Sequence, residues 1–114
     1  MRNKLKLVVN NKFKKKEKFF VKNELRSILN LYAKKVSAGD WKDYGLSINK
    51  KEISFDIYQR ASEKPIYRIS KNINPNRKNE RFFILDRNGS IIKRSEDLET
   101  LIRRVEWTRL KLVK

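Results

Sequence analysis

The chain has 114 residues, which is the size of one domain with its own hydrophobic core. Its 30 Lys and Arg residues outnumber its 13 Asp and Glu residues, giving a formal net charge of +17. The absence of cysteine and histidine excludes disulfides, thiolate catalysis, histidine general bases and, in practice, zinc sites. No apolar run is long enough for a membrane span or a signal peptide. We therefore expect a cytoplasmic protein that contacts no membrane and holds no metal ion or cofactor.

Much of the excess charge lies near the N-terminus. Residues 1–22 carry nine Lys and Arg residues and a single acid, Glu17. A basic block of this kind is typical of a flexible arm that touches polyanions. We therefore expect an arm over residues 1–20 and one domain over residues 21–114. A competing explanation stays open, because Lys, Asn and Ile have AT-rich codons and make up 41 of the 114 residues.

The first predicted element is a helix over residues 24–37. One helical face is apolar, through Leu25, Ile28, Leu29, Tyr32, Ala33 and Val36. Asn23 is interpreted as the N-cap, with Val21 before it as part of a hydrophobic staple. Gly39 is interpreted as the residue that ends the helix.

The middle of the chain predicts five short antiparallel strands. They run over residues 44–48, 53–58, 66–70, 82–85 and 90–93. The strict alternation of the second strand places Ile53, Phe55 and Ile57 inward. Asn88 and Gly89 predict a tight hairpin turn between the last two strands.

A second helix is predicted after the strands. Ser95 is interpreted as its N-cap, with Glu96 and Asp97 in the first turn. Its buried face consists of Leu98, Leu101, Ile102 and Val105. The predicted fold is therefore α+β, an antiparallel meander of about five strands with an N-terminal and a C-terminal helix packed on one face.

One group of charged residues could indicate catalysis, but it also has a structural explanation. Asp40 and Lys42, with Glu24 or Asp56, have the residue types of a magnesium nuclease. However, Asp40 and Asp43 follow a helix end, where carboxylates commonly accept hydrogen bonds from turn amides. We therefore expect no enzyme and no catalytic residue.

The leading functional hypothesis is a small basic module that contacts DNA or RNA through phosphates. Basic residues interleaved with aromatic ones favour it, because cations follow phosphates while rings stack on bases. Its binding would depend steeply on salt and weakly on sequence. Electrostatic capture is assigned to Lys12, Lys14, Lys15, Lys16 and Lys18. Docking is assigned to Arg60, Arg68, Arg77, Lys78 and Arg81.

The alternative hypothesis is a protein-interaction module or regulatory adaptor. Its contact surface would consist of Trp41, Tyr44, Tyr67 and Trp107. Aromatic side chains of this kind dominate interface hot spots. Exposure of Trp41 beside Tyr44 would favour the adaptor, whereas convergence of Arg60, Arg68 and Arg81 would favour nucleic acid. The oligomeric state stays open.

Two segments carry a resemblance to a known family. The first is Gly39-Asp40-Trp41-Lys42-Asp43-Tyr44, and the second is Arg60-Ala61-Ser62-Glu63-Lys64-Pro65-Ile66-Tyr67-Arg68-Ile69. With further matching residues between positions 23 and 113, the chain resembles a small alphaproteobacterial family classed as a domain of unknown function. The resemblance implies no catalytic residues, because it brings no activity with it. It also leaves residues 1–20 outside the shared region.

Overall fold

The computed structural model describes residues 19–60 and 64–107. Two helices and five strands lie in this part of the chain. They are α1 (Lys22–Ser37), β1 (Asp43–Ile48), β2 (Glu52–Tyr58), β3 (Tyr67–Asn72), β4 (Phe82–Asp86), β5 (Ile91–Ser95) and α2 (Leu98–Arg104), with a short 3-10 turn at Lys78–Glu80. The lysines of the predicted arm lie outside the described residues.

The strands form one antiparallel sheet in the order β1-β2-β3-β4-β5. Each strand pairs with the next one along the chain, because short connections return the chain directly beside itself. The β4–β5 turn follows the sequence prediction: Gly89 has a positive φ of 85°, and the Asp86 carboxylate accepts hydrogen bonds from the amides of Asn88 and Ser90. The predicted α+β meander is confirmed.

Both helices pack on one face of the sheet, here called the helix face. Ile53, Phe55 and Ile57 of β2 are buried on this face, as their alternation predicted. The core continues through Ile28 of α1 and Leu101 of α2. Phe20 also belongs to the core, although the predicted arm included it. The folded domain therefore extends at least to Phe19 and Phe20 at its N-terminal side.

The helix caps differ from the prediction. Val21, not Asn23, is the N-cap of α1, and its amide donates to the Glu24 carboxylate at 2.8 Å. Asp97, not Ser95, caps α2, and its carboxylate accepts from both the amide and the hydroxyl of Thr100. In each case a nearby carboxylate satisfies an amide that the helix itself leaves unpaired. Sequence alone does not decide which of several adjacent polar residues takes that place.

A buried ion pair fastens the start of α1 to the sheet. Lys71 of β3 lies on the helix face with 0% of its surface exposed. Its Nζ lies 2.8 Å from the Glu24 carboxylate and donates to the carbonyl of Phe19 at 3.1 Å. A buried ammonium requires such partners, because desolvation of the charge is costly. Glu24 thus links the helix cap to the sheet.

Of the helices in the described part of the chain, none is long and apolar enough to cross a membrane.

Candidate binding surfaces

The structure divides the predicted arginine set between opposite ends of the sheet. Arg60 and Arg68 lie at the end where the β2–β3 connection and the β4–β5 turn are located. Arg77, Lys78 and Arg81 lie in the β3–β4 connection, which is at the other end. Because antiparallel strands reverse direction at each turn, these two groups are separated by the length of the strands. The five residues therefore do not converge on one patch.

The end that carries Arg60 and Arg68 also gathers other cations, and we call it the hairpin-tip end. Lys42, just before β1, shares a surface cleft with Asp43, Gln59 and Arg60. A second cleft lies between the two hairpins and is lined by cations and turn residues. These residues are Lys64, Pro65, Arg68, Leu85, Asp86, Arg87, Asn88 and Gly89. Lys42, Lys64 and Arg87 come from separate loops, so no local sequence pattern groups them with the arginines.

A polar row crosses the outer face of the sheet, opposite the helices. Ser47, Ser54 and Ser70 are register partners on β1, β2 and β3. Asp56 is only 2% exposed, and its two oxygens accept hydrogen bonds from the hydroxyls of Ser47 and Ser54 at 2.6 and 2.7 Å. The Nε atom of Arg68 lies 3.6 Å from the same carboxylate. Asp56 is therefore engaged by neighbours, and it orients Arg68 near the hairpin-tip end.

The carboxylates that could have formed a magnesium nuclease site do not lie close together. Glu24 is paired with Lys71 on the helix face, whereas Asp56 lies on the outer face. Asp40 is buried at the end of α1, 3.8 Å from Lys35. Asp43 accepts from the amide of Tyr44, as expected for a turn carboxylate. Within residues 19–60 and 64–107, no three acidic side chains group closely enough to hold a metal ion.

Three of the four predicted contact aromatics form a cluster inside the protein. Trp41 is only 1% exposed, and Tyr67 is also buried. The half-buried ring of Trp107 meets Trp41 and Tyr67 edge-on, with centroids 5.5 and 4.9 Å apart. The indole N–H of Trp107 donates to the carbonyl of Ile102, which holds the chain after α2 in place. Trp41 and Tyr67 are therefore core residues that a partner cannot reach in this fold.

Tyr44 differs from these three because it lies at an exposed apolar surface. Its ring stacks on Phe55 at 4.7 Å and meets the ring of Tyr32 at 5.2 Å. Burial, reinforced by the negative charge of Asp43 and by Tyr44, raises the pKa of the Tyr32 hydroxyl. Tyr32 thus remains a neutral member of this contact between α1 and β1.

Exposed apolar side chains lie on both α1 and β1, two elements that meet at the rings of Tyr32 and Tyr44. On β1, the alternate residues Tyr44, Leu46 and Ile48 face the helix side of the sheet but are 46, 48 and 62% exposed. On α1, Leu29 and Val36 are about equally exposed and lie two turns apart. We call these five residues the α1–β1 surface. The apolar face of α1 follows from its periodicity in the sequence, but its exposure does not, because burial depends on what lies beside an element.

The position of β1 explains this exposure. Within residues 19–60 and 64–107, β1 is an edge strand that pairs with β2 alone, and the ring of Tyr32 on α1 contacts it at Tyr44. The amide of Asn49 donates to the carbonyl of Glu52 where the β1–β2 hairpin closes. Because hydrogen bonding alternates along an antiparallel pair, the backbone groups of Tyr44, Leu46 and Ile48 point to the free edge. The same three residues therefore present apolar side chains and backbone polar groups together.

Comparison with family models finds one that covers residues 18–102, and its description is protein of unknown function (DUF2794). The chain therefore belongs to that family. Comparisons with the curated proteins and with the solved structures found no match.

Proposed function

We propose that this member of the DUF2794 family is a binding module without catalytic activity, and that it binds a protein partner through the α1–β1 surface. The observation that supports the proposal is the exposure of five large apolar side chains, each between 40 and 62% exposed, along one helix and the adjoining strand edge. Single exposed apolar residues are common in soluble proteins. Several of them on neighbouring elements indicate an interaction site.

The composition of the chain strengthens this argument. Charged residues make up 38% of the sequence, well above the usual quarter. A chain with so many charged side chains has little need to leave large aliphatic residues in water. Burying the exposed part of each of the five side chains contributes about 1 kcal/mol, which is roughly half of full burial. This contribution favours association, although the lost freedom of the two partners offsets part of it.

The proposal revises the surface assigned to the alternative hypothesis. Of the aromatic residues predicted for it, Tyr44 belongs to the α1–β1 surface, whereas Trp41 and Tyr67 are buried in the core. Leu46 and Ile48 take their place.

Site-specific crosslinking in cells tests the proposal. A photo-reactive p-benzoylphenylalanine replaces Leu46 in one variant and Ile92 in the other. Ile92 is a matched control, because it is also an exposed aliphatic residue on an edge strand, 41% exposed against 48% for Leu46. We expect a discrete adduct from position 46 and none from position 92. Failure to crosslink at position 46, with the variant folded and expressed, would overturn the proposal.

Nucleic-acid binding is the second candidate, and the hairpin-tip end favours it. Lys42 and Arg60 border one cleft there, while Lys64, Arg68 and Arg87 border the next. Cations from several loops at one end of a sheet suit a phosphate backbone, since phosphate contacts need charge more than a specific arrangement. This candidate uses Arg60 and Arg68 from the predicted set but not the residues of the β3–β4 connection.

Fluorescence anisotropy with labelled duplex DNA and single-stranded RNA tests this second candidate. The full chain is compared with an Arg60→Ala/Lys64→Ala variant and with an Arg77→Ala/Lys78→Ala control from the opposite end. We expect the first pair to weaken binding about tenfold at near-physiological salt and to reduce the salt slope. Equal losses in both variants would show that only the overall charge matters, and the hairpin-tip site would be rejected.

A further inference from the structure

We propose that the α1–β1 surface is covered by a second copy of this chain, with the two β1 strands paired antiparallel about a two-fold axis at Leu46. The inference rests on the proposed function, because it names the occupant of the same surface. It would join two five-stranded sheets into one continuous sheet. Such pairing is a common way in which an exposed strand edge is satisfied.

The backbone of β1 is available for this pairing. Leu46 lies at the centre of the three residues whose backbone groups point to the free edge, so two copies can exchange N–H···O bonds between their Leu46 residues. Tyr44 of each copy then lies opposite Ile48 of the other copy. The amide of Tyr44 is already bonded to Asp43, so the Leu46 and Ile48 amides are the donors that gain partners.

The two edges of the sheet differ in how they are protected. β5 carries exposed Lys93 and Arg94 within the strand, and its pairing with β4 is irregular near Ile84. Charges and irregularities of this kind keep edge strands from pairing with other chains. β1 has none of these features between Tyr44 and Ile48: the segment contains no charge and no proline. The unprotected edge is thus also the edge that carries the apolar stripe.

The side chains of the α1–β1 surface are complementary to themselves. A two-fold axis makes the same patch serve both partners, so the patch must match its own rotated copy. On β1, a stripe with Leu46 at its centre and a large apolar residue on each side meets this condition. On α1, Leu29, Ala33 and Val36 lie on one side of the helix. The small Ala33 permits the α1 helices of the two copies to approach closely above the paired β1 strands.

Charge determines how this association responds to salt. The interior of the surface is uncharged, but the pairing places Lys42 opposite Lys50 of the second copy, and each chain carries a net charge of +17. Repulsion between like charges weakens as salt screens it. The dimer should therefore become tighter as the salt concentration rises. Binding to phosphates changes in the opposite direction.

Sedimentation velocity of the full chain tests the inference. We measure the dimer dissociation constant at about 0.01 M and about 0.15 M salt, where the screening length falls from about 30 Å to about 8 Å. We expect a reversible dimer that is tighter at the higher salt concentration. Leu46→Lys/Ile48→Lys should weaken it at least about tenfold, because it places like charges opposite each other. The matched control Ile91→Lys/Ile92→Lys on β5 should leave it unchanged, and circular dichroism checks that both variants fold.

The crosslinking experiment separates failure of this inference from failure of the proposed function. An adduct from position 46 with twice the mass of the chain supports the second copy. A monomer at all concentrations, together with a position 46 adduct to a different protein, overturns the second copy but retains the interaction module. Equal weakening by the β1 and β5 variants would also overturn the inference, because it would place the contact elsewhere.

Discussion

The two helices cover the sheet very differently. α1 has 16 residues, yet Ile28 alone is fully buried, and Leu29 and Val36 remain exposed. α2 has only seven residues, yet Leu98 and Leu101 are both buried, and Trp107 just beyond it belongs to the aromatic cluster. The longer helix is therefore the one with unsatisfied apolar surface. A helix at the edge of a sheet can bury only the part of its apolar face that the sheet reaches.

The helices also differ in how they are attached. α1 relies on the ion pair between Glu24 and Lys71 at its start and on the Tyr32 ring at its middle. α2 relies on a carboxylate cap at Asp97 and on aliphatic burial. The contrast leads to three predictions, ordered from the largest expected effect to the smallest.

Removing the carboxylate of Glu24 should have the largest effect. Glu24→Ala removes the carboxylate that lies 2.8 Å from the buried Lys71 ammonium and also removes the acceptor of the Val21 amide. We expect the free energy of unfolding to fall by about 3 kcal/mol, measured by urea denaturation. The double variant Glu24→Gln/Lys71→Met should recover most of this loss, since an apolar side chain then replaces the buried ammonium. A loss below about 1 kcal/mol in Glu24→Ala would show that apolar packing holds α1.

Truncating Trp107 should have an intermediate effect, on the α2 side. Trp107→Ala removes the ring that meets Trp41 and Tyr67 and the hydrogen bond to the Ile102 carbonyl. We expect a loss of about 2 kcal/mol, below the usual range for a fully buried Trp because this ring is half-buried. Urea denaturation gives the value, and near-ultraviolet circular dichroism reports the loss of the cluster. Trp107→Phe serves as the control and should lose less; an equal loss in both variants would contradict a role for ring packing.

Removing the cap of α2 should have the smallest effect. Asp97→Ala should cost about 1 kcal/mol at neutral pH, because the amide of Thr100 loses its acceptor. The hydrogen bonds from Thr100 hold the pKa of Asp97 below its ordinary value of 3.8. This contribution is therefore complete above that value and is lost as the pH falls through the lower pKa of the folded protein. Thermal unfolding between acidic and neutral pH measures it.

Asn at position 97 is the informative control for the cap. Asn is as good an N-cap as Asp, so Asp97→Asn should keep most of the stability at neutral pH while losing the pH dependence. If the variant shows the same pH dependence as the original chain, another carboxylate must be responsible.

Local patterns allowed most of the architecture to be predicted. The strict alternation at Ile53, Phe55 and Ile57 predicted both the strand and its buried side, and Asn88-Gly89 predicted the turn. The two predicted N-caps were wrong: Val21 and Asp97 cap the helices, not Asn23 and Ser95. Several polar residues near each helix start can supply a cap, and the sheet contact of Glu24 influences which geometry forms.

The binding surfaces were harder to predict, because they depend on distances across the sheet. Arg60 and Arg81 are 21 positions apart in the sequence, and nothing local indicates that they lie at opposite ends of the sheet. In the same way, no local signal distinguishes the buried Trp41 from the exposed Tyr44, three positions later. Aromatic residue type indicates that a side chain contributes contact area but not whether the contact is internal.

The sequence by itself determined the α+β meander, the apolar faces of both helices and the excess of positive charge, because these follow from periodicity, turn residues and composition. Only the tertiary structure decided that β1 lies at an edge of the described sheet and that Lys71 is a buried partner of Glu24. It also decided that Leu46 and Ile48 face water on a side where their alternation would bury them. The physical reason is that burial belongs to a pair of surfaces. Periodicity specifies which side of an element is apolar, and neighbouring elements determine whether that side is covered.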